Sequence, residues 1–318
     1  MLTLDPPDHT RLRALVSQAF TRSRVHALEG RIRRVVAELL DAIDDPAGFD
    51  LMAAVARPLP AIVIAEILGI PAADRDRFIR WADQRARLFE PTVSRRERRL
   101  AGRASRECNA YLTGIIARRR REPRDDLLSA LVHAEAAGER LSGQELLNMV
   151  RMLIVAGTET TTNLIGNGML ALLRHPAELA WLRADPGCIP RAVEELLRYD
   201  APVQATFRRA LADCEVNGAT VRRRDTVVVL LGAANRDPAV FDDPDRLDVA
   251  RDGRAHVALG RGIHHCLGTM LARLEGRIVL EMLLARFAPI ELAGPRPRFH
   301  RNLVLRGLRS LPLRCTGT

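Results

Sequence analysis

Cys266 sits in the run Leu259-Gly260-Arg261-Gly262-Ile263-His264-His265-Cys266-Leu267-Gly268, a glycine-rich loop that delivers one thiol to the start of an amphipathic stretch. Three glycines let the backbone fold tightly and turn its N–H groups toward the sulfur, and the start of a following helix favours the ionised thiol. The pattern suits a thiolate metal ligand. Zinc and iron–sulfur sites need several Cys or His at short spacing, and no second cysteine stands near Cys266. Taken alone, a buried structural cysteine in a glycine-rich turn fits the loop as well.

A second stretch carries polar chemistry inside an apolar pattern. Ser142-Gly143-Gln144-Glu145 has the form of a capping box, and helical spacing follows through Leu146, Met149, Leu153 and Ile154 and resumes to Leu173. The middle reads Ala156-Gly157-Thr158-Glu159-Thr160-Thr161-Thr162. One Gly costs about 1 kcal/mol and each Thr about half that relative to Ala, so the segment gives up on the order of 3 kcal/mol of helix propensity. Such a local conflict marks a functional site or a kink that packs helices. Gly157 beside Ala156 leaves room for close approach to the backbone, and Thr hydroxyls can bond carbonyls of the preceding turn. Glu159 and Thr160 place an acid beside an alcohol.

The elements that must position these residues are mainly helical. Apolar residues from Val25 to Ile43 follow helical spacing that Pro46 and Gly48 end, and similar patterns run over 62–68, 78–89, 98–121 and 127–136, with another opening near Arg191. Short β-rich pieces appear only later, at 203–207 and 226–231, where β-branched residues cluster. The expected fold class is therefore mainly α with small β-sheets, and the absence of repeats or long linkers points to one domain over 1–318.

Composition narrows the setting. The 318 residues are 47% hydrophobic, ample for a sizeable core. Five cysteines lie far apart with no C-x-x-C pair, which argues for a reducing compartment. No signal peptide is visible, and the longest uncharged apolar run, 226–234, is too short to span a bilayer; a cytoplasmic location is expected. The net charge of +10 comes entirely from Arg, scattered among acids, with only 4% aromatic residues. That distribution speaks against nucleic acid and leaves room for a basic face that docks an acidic electron-transfer protein.

A haem iron takes only one protein ligand on its proximal side, which suits a solitary cysteine. The chain resembles the cytochrome P-450 family, whose ligand loop reads F-G-x-G-x-H-x-C-x-G; every position matches except the first, where Leu259 replaces Phe. By that resemblance the cofactor is haem b with Cys266 as axial thiolate, and Gly260 and Gly268 belong to its loop. The A-G-x-[DE]-T stretch would place Ala156 and Gly157 on the distal face, with Glu159 and Thr160 relaying protons to dioxygen. Two haem propionates need converging cations. His9 and Arg13, four apart in the segment after Asp5-Pro6-Pro7, correspond to family positions that supply them, as do Arg208, His256 and His264. Glu195-Leu196-Leu197-Arg198 matches the family's E-x-x-R motif, and Arg246 in Pro244-Asp245-Arg246-Leu247 would complete a structural triad with Glu195 and Arg198.

The resemblance implies a monooxygenase that inserts one oxygen atom of O2 into a lipophilic small molecule, by hydroxylation or epoxidation, in bacterial secondary metabolism. Electrons would come from a ferredoxin and its reductase. Pocket walls would come from 149–156, 202–207, 88–94 and 302–304. Family members run to roughly 400 residues, so about 80 are expected to be missing ahead of Leu4, with the first helices and two strands of the larger sheet. The expected fold is a cytochrome P-450 fold lacking its N-terminal helices and strands, with an unpaired sheet edge and a gene start placed too late as the favoured explanation. The alternative is a haem-binding but catalytically inert paralogue or a non-catalytic partner protein.

Overall fold

The computed structural model describes residues 1–18, 20–86, 93–136, 138–252, 255–294 and 297–317. Helices dominate: α1 (Asp8–Ser17), α2 (Arg22–Ala27), α3 (Glu29–Asp41), α4 (Pro58–Ile67), α5 (Arg75–Ala86), α6 (Arg95–Arg121), α7 (Leu127–His133), α8 (Gly143–Arg174), α9 (Pro176–Ala184), α10 (Ile189–Tyr199), α11 (Leu231–Ala234) and α12 (Thr269–Arg286). The strands are short: β1 (Phe49–Asp50), β2 (Glu135–Ala136), β3 (Glu139–Arg140), β4 (Ala205–Arg209), β5 (Cys214–Val216), β6 (Ala219–Val221), β7 (Thr226–Leu230), β8 (Phe287–Leu292) and β9 (Pro312–Gly317).

The long helix α8 organises the molecule. Ser142 accepts from Glu145 N–H while the Glu145 carboxylate accepts from Ser142 N–H, so both ends of the expected capping box form. At 1.5 Å per residue its 32 residues extend roughly 48 Å. Its first half, through Met149, Leu153 and Ile154, joins an apolar cluster with α1, α5, α6 and α7. Its second half, from Leu164 to Leu172, joins another with α3, α10, α12, β8 and β9. The propensity-poor segment lies where the helix passes from one cluster to the other.

The sheets are antiparallel: β1-β9-β8 forms three strands, while β2-β3, β4-β7 and β5-β6 form pairs. The two β-branched clusters become β4 and β7, in register Ala205↔Leu230 and Phe207↔Val228. Alternation puts these four side chains on one face. Phe207, Val228 and Leu230 are 51%, 48% and 57% exposed, so this face is open to solvent. The 127–136 stretch departs from expectation: α7 stops at His133, and Glu135–Ala136 pairs with Glu139–Arg140 across a turn in which Gly138 takes φ +80°. The 25–43 stretch is two helices that meet at Leu28. Among the described residues, no helix is long and apolar enough to cross a membrane.

Candidate haem-thiolate site

The cysteine loop folds back on itself before α12. Gly260 and Gly262 adopt φ of +72° and +66°, conformations that side chains rarely take. They permit a tight path in which Gly260 N–H donates to Val257 O at 2.9 Å and Cys266 N–H donates to Leu259 O at 2.8 Å. Thr269 Oγ1 then donates to Cys266 O, and α12 begins. Cys266 is half-buried, and its thiol makes no hydrogen bond among the described residues. It stands two residues before Gly268, the N-cap of a helix of 18 residues. Gly268 has an ordinary φ of −85° and open space around its Cα.

Four cationic or titratable groups converge near this loop. The rings of His9, on α1, and His264 have centroids 4.4 Å apart at a 60° tilt. His9 is 2% exposed and neither ring nitrogen has a hydrogen-bond partner. Burial, the charges of His9 and Arg208, and that of Arg13 lower the His264 pKa, with Asp5 opposing them. Arg208 extends from the exposed end of β4, where its guanidinium donates to Thr206 Oγ1 and Phe207 O. His9, Arg13, Arg208 and His264 thus gather where an anion is wanted and none of the nearby carboxylates neutralises them all.

In α8, Thr160 Oγ1 donates to Ala156 O at 2.8 Å, and buried Thr158 Oγ1 donates to Ile154 O at 2.9 Å. Ala156 is exposed while Leu153, Ile154 and Val155 before it are buried. Ala156 and Thr160, one turn apart, therefore mark an open notch between the buried stretches 153–155 and 161–172 of the helix. Glu159 is half-buried beside it. Gly157 serves a different purpose, since a Cβ there would meet Ile64 Cδ1 of α4 at 3.3 Å. Its missing side chain lets α4 approach closely, a packing role that the sequence pattern does not announce.

Glu195 and Arg198 of α10 are fully buried and joined by two bonds of 2.7 and 2.8 Å. The remaining Arg198 donors reach the carbonyls of Asn235, Pro244 and Arg246. Glu195 also accepts from Asp248 N–H, and the second guanidinium near it belongs to Arg251, at 3.4 Å. The family pattern puts Arg246 there; instead its side chain is 61% exposed and pairs with Asp248 and Asp243. Acids three before and two after Arg246 hold it at the surface, leaving only its carbonyl in the network.

His256 also departs from expectation. Its Nδ1 accepts from Ala258 N–H, so Nε2 carries the proton, and Nε2 faces the Glu194 carboxylate at 3.3 Å, too skewed to count as a hydrogen bond. Only Nδ1 is thus committed, while Nε2, without a hydrogen-bond partner, lies against the Glu194 carboxylate of α10 in a ring that is 8% exposed. No motif in the sequence singles out Glu194. Burial raises its pKa, but His256 and the two-bond grip of Arg273 outweigh that and hold it at about 2.

Of the expected pocket walls, Gln204, Ala205, Asn302 and Leu303 line one cavity of about 350 Å³ with Leu230 and Phe299. Met149 and Leu153 are buried in the core, and residues 88–92 lie outside the described residues. Among the described residues no three His, Cys, Asp or Glu cluster as a metal site. A metal at Cys266 would thus draw a single ligand from the chain.

The sequence profile described as Cytochrome P450 matches residues 1–185 and 189–311. The chain belongs to the cytochrome P450 family. It is 45% identical to the polyketide biosynthesis cytochrome P450 PksS of Bacillus subtilis, over 98% of this chain and 77% of that protein. It is 44% identical to the 6-deoxyerythronolide B hydroxylase of Saccharopolyspora erythraea, over 100% of this chain and 78% of the hydroxylase. The solved structure of cytochrome P450 CYP109Q5 from Chondromyces apiculatus superimposes with a TM-score of 0.93 at 42% identity, over 99% of this chain and 78% of that one. With these relatives, this P450 is an oxidoreductase of the monooxygenase class.

Family membership implies haem b bound through a cysteine thiolate, and the residues of this P450 fit that group. A half-buried lone thiol, two orphaned nitrogens on buried His9, flanking arginines and an exposed helical notch are otherwise costly or idle features. Each matches a need of the macrocycle: an axial ligand, charge for its carboxylates and space on its far side.

Proposed function

We propose that this P450 inserts one atom of O2 into a lipophilic natural product, by hydroxylation or epoxidation, within bacterial secondary metabolism. The observation that carries the reading is the lone Cys266 thiol two residues from His264, whose ring meets the unsatisfied ring of buried His9. The relatives named for polyketide biosynthesis and for 6-deoxyerythronolide B hydroxylation support polyketide-like substrates.

Bound haem supplies the activation of dioxygen, with electrons delivered by a ferredoxin and its reductase. Cys266 would hold the iron as a thiolate. His9, Arg13, Arg208 and His264 would hold the two propionates through charge-assisted hydrogen bonds. Thr160 Oγ1, now bonded to Ala156 O at 2.8 Å, turns to hold a proton in the notch, and Glu159 passes protons to it from solvent. Ala205, Leu230, Phe299 and Leu303 give the cavity beside β4 apolar surface for a greasy substrate.

The test is haemin reconstitution of the full chain and of Cys266→Ala, followed by reduction under carbon monoxide. A thiolate-type carbonyl spectrum in the parent and its loss in the variant are expected; the same spectrum in both overturns the ligand assignment. Supplied with ferredoxin, reductase and NADPH, the loaded protein should oxygenate macrolide-like substrates. Haem uptake without turnover across such a panel would favour the non-catalytic alternative.

A further inference from the structure

We propose that Glu194 is the positioning residue of the ligand loop: one carboxylate on α10 grips both flanks of the segment that carries Cys266, through His256 ahead of it and Arg273 behind it. The inference rests on Cys266 being the iron ligand and adds how its sulfur is aimed.

The grip has two sides. Arg273, on the second turn of α12, donates to Glu194 through Nε and Nη2, each at 2.6 Å. His256 presents Nε2 to the same carboxylate at 3.3 Å and uses Nδ1 to accept from Ala258 N–H at 3.2 Å. From Ala258 the path to the sulfur is short. Gly260 N–H is tied to Val257 O, and Leu259 O accepts from Cys266 N–H. Arg273 follows Cys266 by seven residues and His256 precedes it by ten, so both ends of the loop refer to one fixed point.

That point is well anchored. The next residue, Glu195, is locked to Arg198 in the interior, and Asn235 Oδ1 accepts from Val257 N–H at 2.7 Å on the adjoining side. The Glu194 side chain is 13% exposed, so its bonds with Arg273 are little screened by water. The carboxylate stays ionised throughout the neutral range because its partners outweigh its burial. A loop held at one end only could rotate about Gly260 and Gly262, whose backbone is the most permissive in the segment. The second grip removes that freedom and fixes the direction of Cys266.

Hydrogen–deuterium exchange of the full chain, read over residues 255–268, tests this without any haem. Glu194→Gln should speed exchange there about tenfold while α3 keeps its parental rate. Arg273→Gln, which alters a half-exposed partner and leaves the buried carboxylate in place, should give about threefold in the same region. Adding Arg273→Gln to Glu194→Gln should add less than twofold, since both act through one carboxylate. Unchanged exchange at 255–268 in both single variants, or equal acceleration in α3, overturns the proposal. After haemin loading, Glu194→Gln should raise the share of carbonyl spectrum that is not thiolate-type; an undiminished thiolate share also overturns it. A parental chain that takes up no haemin would defeat the haem reading alone, and the exchange result would still decide the clamp.

Discussion

The imidazoles of His9 and His264 stand 4.4 Å apart, and the more buried of them, His9, has no partner for either nitrogen. An unpartnered buried polar ring costs stability, which is a sensible arrangement only if something else completes the pair. His9→Leu should therefore stabilise the apoprotein by about 1 kcal/mol in urea denaturation while weakening haemin binding about tenfold in a spectral titration. Loss of stability with unchanged haemin affinity would show that the ring serves the core and not the cofactor.

The three arginines around Glu195 should rank by burial. Arg198→Met leaves a carboxylate unpaired in the interior and should cost about 3–5 kcal/mol, the largest loss of the three. Arg251→Ala removes a longer contact from a side chain that is 12% exposed and should cost about 1–2 kcal/mol. Arg246→Ala affects only surface pairs and should fall below about 0.5 kcal/mol. Urea midpoints at constant slope report the order. Equal costs for Arg246 and Arg251 would contradict the geometry.

The features legible in the sequence are the local ones. The Ser142–Glu145 box, the weak middle of α8, the β4 and β7 clusters and the Cys266 loop are each written in neighbouring residues, where propensity and periodicity act. The features that escape it are set by residues far apart in the chain. Glu194 meets Arg273 across 79 positions, and Glu195 meets Arg251 across 56. No spacing rule chooses Arg251 over Arg246. Asp243 and Asp248 flanking Arg246 do hint that its charge is already matched. Gly157 shows the same limit: helical period places it about 100° from Ala156, but only the packing of α4 decides which of them faces the open side. His256 resembles a loop cation until its two nitrogens are traced to Ala258 and Glu194.

Thr160 can be separated from Thr158 by function. Thr158 is buried and bonded to Ile154 O, whereas Thr160 borders the exposed Ala156. Thr160→Ala should leave haemin uptake and folding within about 0.5 kcal/mol of the parent, because Ala is the better helix former. Product formed per NADPH consumed should fall about tenfold, and Thr160→Ser should recover most of it by restoring a hydroxyl. Measuring product and NADPH together decides the matter: an alanine variant with parental yield would remove Thr160 from proton delivery.

Glu275, on α12, is 1% exposed, and its Oε2 has no hydrogen-bond partner. Burial raises its pKa from 4.5 to about 8, so in the folded chain it keeps its proton at neutral pH. In the unfolded chain it ionises near 4.5. Between these values the folded state binds more protons, so this group's contribution to stability is full below pH 4.5 and is lost as pH rises through 8. Burial lowers the pKa of His264 and His265, which contribute the opposite slope below about pH 6.5. The comparison must therefore be made against Glu275→Gln, in which the histidines are unchanged. The parent should lose roughly 3 kcal/mol more than the variant between about pH 5 and about pH 7, read from urea denaturation at each pH. Parallel stability curves for the two proteins would mean that Glu275 reaches water or a partner and is ionised in the fold.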